Sequence, residues 1–133
     1  MRSVPRDEKE TVTKASPRSV DDTVSRLTEL LDKRGIKLFV VIDQRAEARD
    51  AGLELRETVL VIFGDPAVGT PVMVDSPLAA LDLPLKVLIW ADDGVTKVSY
   101  TAPSALAARH HLDPDLAERL AGIDTITDAL VAP

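Results

Sequence analysis

Two aspartates stand where predicted strands end. Asp43 follows the apolar run 36–42, and Asp65 comes just after the run 57–63. If these strands are neighbours that run in the same direction, the two carboxylates converge, and paired carboxylates bind a metal ion or share a proton. Aspartate is also an ordinary strand terminator. An enzyme that uses Asp43 and Asp65 as acid–base or metal-binding carboxylates is therefore an alternative interpretation.

The segment 63–71, FGDPAVGTP, leaves the second of these strands and enters a helix predicted over residues 70–75. Exposed backbone amides at a helix start bind anions. No lysine follows the glycines as in a Walker P-loop, and the pattern is not GxGxxG. An ordinary turn, in which glycine and Asp-Pro satisfy the backbone geometry, is the simpler interpretation.

The next segment, SPLAALDLP over 76–84, is unusually apolar for a loop. Leu78, Leu81 and Leu83 need a place of burial, as does Met73 just before them. They pack beneath the sheet, line an apolar ligand pocket, or dock another protein chain. The segment 63–84 is accordingly the best candidate site in the sequence.

The histidines and large aromatic residues give weaker signals. His110 and His111 are adjacent, so on a helix they point roughly 100° apart and do not face one metal ion. A position near the last carbonyls of a helix is favourable for histidine. Trp90 and Tyr100 fit core or interface anchors, and the Tyr100 hydroxyl is a candidate for a pocket near Asp43.

Local signals predict the elements that position these residues. Ser19 caps a helix whose apolar stripe includes Leu27 and Leu31, and Gly35 ends it. Residues 36–42 read as a strand buried on nearly both faces, and Gly122 predicts a break in the last helix near Asp124. The order β-α-β-(α)-β-(α)-β-β-α-α favours an α+β fold, a mainly antiparallel sheet with helices on one face. The five predicted strands cover residues 11–15, 36–42, 57–63, 85–90 and 95–100.

Length and composition exclude several classes of protein. The chain has 133 residues, which fits one α+β domain over 10–133 after a charged, flexible lead-in over 1–9. Hydrophobic residues make up 45% and aromatic residues only 3%, so the core is aliphatic. Cysteine is absent, which excludes disulfides, thiolate nucleophiles and zinc–thiolate sites.

The charge points away from nucleic acids and membranes. The net charge is −6, with 22 acidic against 16 basic residues and no basic stripe. Phosphate neutralisation supplies most nucleic-acid affinity, so we expect no nucleic-acid partner. We expect no membrane association either, because no basic face is present and the apolar runs are too short to span a bilayer. The N-terminus lacks the apolar region of a signal peptide, so we expect a cytoplasmic location.

Several short motifs follow one another along the chain: Ile42-Asp43-Gln44, Ala51-Gly52-Leu53, Phe63-Gly64-Asp65-Pro66, Gly69-Thr70-Pro71, Ala80-Leu81-Asp82-Leu83-Pro84, Tyr100 and Ala107-Ala108-Arg109-His110. As a set they resemble the bacterial family catalogued as domain of unknown function 302, over about residues 11–112. The resemblance implies a two-layer α/β sandwich, similar to the TATA-binding-protein half-fold, and a homodimer. It implies no activity. Gln44 stands where many members carry histidine, so no histidine-based role carries over at that position.

The leading hypothesis is a homodimeric small-ligand or partner-binding module without a complete set of catalytic groups. No catalytic residue, metal ligand or cofactor is assigned. The alternatives are the carboxylate enzyme and a structural subunit that docks through the apolar loop 76–84. The candidate ligand-binding residues are Asp43, Gln44, Phe63, Gly64, Asp65, Thr70, Met73, Leu83 and Tyr100.

Overall fold

Five antiparallel strands form one sheet in the order β1-β5-β4-β3-β2. The computed structural model describes residues 10–133, and the predicted lead-in over 1–9 lies outside the described residues. The sheet confirms the predicted α+β class. The strands are β1 Thr11–Ser16, β2 Lys37–Asp43, β3 Thr58–Gly64, β4 Leu85–Asp92 and β5 Val95–Thr101.

The helices α1 and α6 supply the helical side of the main core. Leu27 and Leu31 of α1 and Leu130 of α6 are fully buried against Val61 and Ile89 of the sheet. The helices are α1 Val20–Lys33, α2 Gln44–Asp50, α3 Pro66–Asp75, α4 Pro103–Arg109, α5 Pro114–Arg119 and α6 Gly122–Val131, with a 3₁₀ turn over Pro77–Leu81.

The first helix forms as its sequence predicts. The Ser19 side chain accepts a hydrogen bond from the Asp22 amide at 3.0 Å, which satisfies one of the free donors of the first turn. The helix ends at Arg34, and Gly35 follows with a φ of 67°. That left-handed conformation favours glycine, so the residue stops the helix and turns the chain into β2.

The helix predicted over 70–75 begins earlier, and this part of the prediction is wrong. Asp65 is the cap, because its carboxylate accepts a hydrogen bond from the Ala67 amide at 2.9 Å. Pro66 then occupies the first turn, where no amide donor is needed. The Asp-Pro pair is thus a helix start instead of a free turn. The predicted break in the last helix is found just before Gly122, between α5 and α6.

The second strand corrects a further prediction. Residues 36–42 were expected to be buried on nearly both faces, but β2 is an edge strand that pairs with β3 alone. Leu38, Phe39, Val40 and Val41 keep 40%, 44%, 42% and 40% of their surface exposed. An apolar run without alternation is typical of a central strand. In this protein such a run forms β2, the edge strand of the sheet that residues 10–133 build.

Candidate functional site

A cavity of about 510 Å³ opens beside the end of β3, between the sheet, α3 and the helices α5 and α6. Its wall is mostly apolar. Phe63 and Leu85 line it from the sheet, Met73 from α3, and Leu120 and Ile123 from the C-terminal helical region. The volume lies within the range of about 300–1,000 Å³ that is usual for small-molecule sites.

The floor of the cavity depends on a close approach at Gly64. A Cβ atom added there would lie 3.4 Å from Cβ of Pro84 and 3.8 Å from Cε2 of Phe39. Any longer side chain would push these neighbours apart or fill the cavity. Phe63, the residue before it, is almost completely buried. At the end of β3, Phe63 therefore forms an aromatic wall of the cavity, and Gly64 leaves space beside it because it has no side chain.

Helix α3 forms the adjoining wall. Thr70 and Met73 are three residues apart, so they lie on one face of the helix, and both line the cavity. Gly69 lines it as well, and a Cβ atom there would lie 3.8 Å from Cδ1 of Leu83. This is an ordinary contact distance. Leu83 thus closes the cavity from the loop that follows α3.

Three charged residues line the cavity, and all three are exposed: Arg34, Asp65 and Arg119. The carboxylate of Asp65 is engaged as the cap of α3. Neither arginine forms an ion pair with any residue in the range 10–133. The opening therefore offers two guanidinium groups that are unpaired within the described residues, next to an apolar interior.

Most of the predicted site residues meet at this cavity, while three do not. Asp43 and Gln44 lie at the opposite end of the β2–β3 pair, at the start of α2. Tyr100 lies on β5 and does not line the cavity. The predicted residues that line the cavity are Phe63, Gly64, Asp65, Thr70, Met73 and Leu83.

The carboxylate pair required by the enzyme alternative does not form. Strands β2 and β3 are antiparallel, so Asp43 lies opposite Val59 whereas Gly64 lies opposite Lys37. At about 3.4 Å per residue, Asp43 and Asp65 are separated by roughly 17 Å or more along the sheet. Each caps its own helix, and the Asp43 carboxylate accepts from the Ala46 amide at 3.0 Å. No group of three or more potential metal ligands occurs within residues 10–133.

Tyr100 belongs to a different polar cluster, because its strand β5 is three strands away from β2, which carries Asp43. Its hydroxyl donates to Oδ1 of Asp124, and Nζ of Lys14 lies 5.3 Å from the centre of its ring. The same Nζ atom donates to Oγ1 of Thr127 at 2.7 Å and pairs with Oδ1 of Asp128 at 2.8 Å. These bonds join β1 and β5 to α6.

The pKa values in this cluster reflect the same contacts. Burial raises the pKa of the Tyr100 hydroxyl above 10.0, and the hydrogen bond to Asp124 adds to the rise. Burial alone would lower the pKa of Lys14, but the hydrogen bonds with Asp128 and Tyr100 outweigh it and hold this pKa above 10.5. The fold therefore stabilises the protonated forms of Tyr100 and Lys14 relative to their deprotonated forms. The cluster is a structural tie between the sheet and its last helix.

A second polar cluster escaped the sequence analysis. Nε2 of His110 lies 2.6 Å from Oδ2 of Asp82, and Nη1 of Arg109 donates to both oxygens of that carboxylate at 3.0 and 3.1 Å. Burial alone would raise the pKa of Asp82, but the bonds to His110 and Arg109 outweigh it and lower this pKa below 3.8. The available signal was that Ala80–Pro84 and Ala107–His110 both carry the family resemblance.

This Asp82 cluster fastens the 3₁₀ turn to the end of α4, next to the cavity residue Leu83. The Ser76 hydroxyl donates to the backbone carbonyl of His110 at 3.2 Å, so it does not engage the imidazole ring. A nucleophile–histidine–aspartate arrangement is therefore absent from these contacts. The cluster holds the loop in place.

The apolar loop 76–84 divides into two parts. Leu83 turns into the cavity, whereas Leu78 and Leu81 keep 70% and 77% of their surface exposed. Burial beneath the sheet, the simplest of the predicted explanations, does not apply to Leu78 and Leu81.

Within residues 10–133, no helix combines the length and the apolar character needed to cross a membrane.

Comparisons with known proteins identify relatives of the whole domain. The family model described as "Domain of unknown function DUF302" matches residues 12–130. A crystal structure of an uncharacterized conserved DUF302 protein from Bacillus stearothermophilus superposes with a TM-score of 0.78 and 23% sequence identity. That similarity covers 91% of this chain and 94% of the other. It shows the shared fold.

Two curated relatives are longer than this chain. A protein of Brucella suis biovar 1 named "Fluoride-specific ion channel FluC 1" is 38% identical over 122 residues, which cover 87% of this chain and 48% of the relative. A protein of the same name from Brucella abortus biovar 1 is also 38% identical over 122 residues, with coverages of 87% and 45%. The chain thus spans less than half the length of these curated relatives.

Proposed function

The chain belongs to the DUF302 family, and from that premise we propose that it is a small-ligand-binding module that works as a homodimer. The observation that carries the proposal is the apolar cavity of about 510 Å³ beside the end of β3. Natural small-molecule sites combine a mostly apolar wall with a few polar groups that orient the ligand. The cavity has this composition.

The lining indicates what kind of molecule fits. Phe63, Met73 and Ile123 offer apolar and aromatic contacts to a hydrocarbon or ring system. Arg34 and Arg119 are unpaired within residues 10–133, and guanidinium groups bind carboxylates and sulfonates through two parallel hydrogen bonds. An apolar organic acid therefore matches the cavity better than a neutral hydrocarbon of the same size.

The name of the Brucella relatives suggests fluoride as another ligand to test. Fluoride is small and strongly hydrated, so a site for it must supply several close donors to replace the lost water. An apolar cavity of about 510 Å³ does not replace that hydration. Sodium fluoride, compared with sodium chloride at equal ionic strength, is expected to give no specific rise in melting temperature.

Binding is tested directly with two probes, decanoate and the fluorescent acid 1-anilinonaphthalene-8-sulfonate. Isothermal titration calorimetry and fluorescence should give saturable binding at one site per chain. Gly69→Leu adds a side chain beside Leu83 and fills the cavity, so affinity should fall at least about tenfold. The matched control is Val74→Leu, which lies on the same helix with 77% of its surface exposed and should bind normally.

Three outcomes would contradict the proposal. The wild-type protein would bind neither probe, or Gly69→Leu would bind as well as the wild type, or Val74→Leu would lose binding equally. A circular dichroism melting curve of each variant separates loss of the site from loss of the fold.

Docking of a partner through the exposed residues Leu78 and Leu81 is the second candidate function, because a solvated apolar pair beside the cavity suits a protein contact.

A further inference from the structure

The charged residues around the opening of the cavity are unevenly distributed. Arg34 lines the cavity where α1 ends, and Arg119 lines it from the end of α5. Both guanidinium groups are unpaired within residues 10–133. The charges that surround them differ, and this difference indicates where the anionic group of a ligand binds.

The part of the opening beside Arg34 carries a second cation. Nζ of Lys37 lies 4.9 Å from the ring centre of Phe39, and Phe39 lines the cavity as Arg34 does. Asp65 also lines the cavity, but its carboxylate accepts a hydrogen bond from the Ala67 amide at 2.9 Å. We call Arg34, Lys37 and Phe39 the basic side of the opening.

The part of the opening beside Arg119 adjoins a groove that carries several carboxylates. Arg119 and Thr70 line both the cavity and this groove. The groove is also lined by three exposed aspartates, Asp75, Asp113 and Asp115. Asp115 precedes Arg119 by four residues, which places the two on one face of α5. We call Arg119 and these three aspartates the acidic side of the opening.

A ligand carboxylate is favoured on the basic side. Exposed charges act on one another over about 8 Å at physiological salt, so charges that line one groove share their field. On the acidic side three carboxylates oppose one guanidinium, and a further carboxylate is repelled. On the basic side Arg34 can hold a carboxylate through two parallel hydrogen bonds, and the Lys37 ammonium adds to the attraction.

We propose that the cavity binds an apolar monoacid, anchored by its anionic group at Arg34, and that it discriminates against diacids. This proposal rests on the proposed function, because it requires a ligand in the cavity. The hydrocarbon part of the monoacid lies against Phe63, Leu85 and Ile123. A second carboxylate would enter this apolar interior or meet the aspartates of the acidic side, and both are unfavourable. Arg34 is thus a specificity-determining residue.

Two fluorescent probes with the same ring system test the role of Arg34. The probe 1-anilinonaphthalene-8-sulfonate carries a sulfonate, and N-phenyl-1-naphthylamine is the same molecule without that group. Arg34→Gln should lower the affinity for the sulfonate about tenfold and change the affinity for the neutral amine by less than about twofold. Arg34→Lys keeps the charge but loses the planar fork, so its affinity for the sulfonate should lie between those of Arg34→Gln and the wild type.

Lys33→Gln is the matched control. Lys33 lies in the last turn of α1, is exposed and is not among the residues that line the cavity. The variant removes the same charge from the same helix end as Arg34→Gln. Both probes should therefore bind to it within about twofold of the wild-type affinity.

The other two cations at the opening should have smaller effects than Arg34. Lys37→Gln removes the second cation of the basic side, and Arg119→Gln removes a guanidinium that lies among aspartates. Each variant should lower the affinity for the sulfonate by no more than about threefold.

Decanoate and decanedioate test the discrimination against diacids. The two molecules share one chain length, and decanedioate carries a carboxylate at both ends. In isothermal titration calorimetry, decanedioate should bind the wild type at least about tenfold more weakly than decanoate. If Arg34 and Arg119 acted together, the diacid would instead bind as tightly as the monoacid.

Three results would overturn the proposal and leave the proposed function standing. They are an equal loss of affinity for both fluorescent probes in Arg34→Gln, a larger loss for the sulfonate in Arg119→Gln than in Arg34→Gln, and equal affinities for decanoate and decanedioate. Absence of saturable binding of every probe to the wild type would instead contradict the proposed function, and this proposal with it. Circular dichroism melting curves of the variants, expected to match that of the wild type, separate a loss of affinity from a loss of the fold.

Discussion

β1 and β2 are the two edges of one sheet, and they differ in what the chain itself supplies to them. β1 carries Lys14 in its interior, and its ammonium group binds the Asp124 carbonyl, Thr127 and Asp128 of α6. β2 carries only apolar residues between its charged ends. One edge is tied to the last helix of the same chain. The other edge has no comparable contact within residues 10–133.

The difference concerns how each edge is kept from pairing with other strands. A charged residue in an edge strand discourages a neighbour, because a new strand would have to desolvate it. At β1 that charge is already engaged by α6, so it stabilises the monomer as well. Within residues 10–133, neither function is found at β2, and the outer edge of that strand is open to solvent. The edge strand β1, which we call the closed edge, is thus stabilised by contacts with α6. The edge strand β2 at the opposite side of the sheet, the open edge, has no such contacts within residues 10–133.

The largest expected effect lies at the closed edge. Lys14→Met keeps the apolar stem and removes the charged hydrogen bonds to α6, leaving Thr127 and Asp124 without this partner. Hydrogen bonds to charged groups contribute about 1.5–3 kcal/mol. We expect the free energy of unfolding to fall by about 2 kcal/mol in urea titrations, while association measured by sedimentation is unchanged.

The matched control for this variant is Lys86→Met on the inner strand β4. Lys86 is exposed, and within residues 10–133 its ammonium makes one hydrogen bond, to the Pro84 carbonyl at 3.3 Å. Its replacement should change the free energy of unfolding by no more than about 0.5 kcal/mol. If the two variants lose equal stability, β1 is not held by its lysine and the contrast between the edges fails.

Local signals in the sequence were sufficient for much of the fold. The cap at Ser19, the apolar stripe of α1 and the stop at Gly35 are confirmed because each depends on neighbouring residues only. The strands predicted over 85–90 and 95–100 are confirmed for the same reason, and they pair antiparallel as β4 and β5. Both ends of the predicted segment 63–84 contribute to one cavity, with Phe63 to Pro66 at one end and Leu83 at the other, although Leu78 and Leu81 between them stay exposed.

Strand order and distant contacts were beyond these signals. An apolar run such as that of β2 has the same sequence whether it lies in the centre of a sheet or at its edge. The expected meeting of Asp43 and Asp65 required parallel strands, and direction depends on the connections between them. The pairing of Tyr100 with Asp124 and of Asp82 with His110 joins residues that are 24 and 28 positions apart.

An intermediate effect is expected from Tyr100, which belongs to the closed edge through Lys14. Tyr100→Phe removes the hydrogen bond to Asp124 and should lower the free energy of unfolding by about 1 kcal/mol near neutral pH. The folded-state pKa of Tyr100 is raised above 10.0 and that of Lys14 above 10.5. Both groups therefore contribute stability that is fully present below these values and is lost as the pH rises through the folded pKa.

Urea unfolding from about pH 8 to about pH 11, a range that includes the ordinary tyrosine pKa, measures this loss of stability. The wild type should lose stability more steeply above pH 10 than Tyr100→Phe, because the phenylalanine has no proton to release. Val95→Thr, on the same strand with its side chain exposed, is the control and should follow the wild-type slope. Parallel curves for Tyr100→Phe and the wild type would contradict the raised pKa.

The smallest effect is expected at the open edge. Val41→Thr is nearly isosteric, and Val41 is 40% exposed on a strand with one neighbour, so the monomer should lose less than about 0.5 kcal/mol. When an edge is covered by a second copy of the chain, association stabilises the folded state by mass action. The free energy of unfolding then rises with protein concentration. The loss of unfolding free energy caused by Val41→Thr should therefore grow as the protein concentration rises. The loss caused by Thr13→Val on β1 should stay constant. A large cost of Val41→Thr at all concentrations would mean that β2 is already covered within the monomer, and the two edges would then be alike.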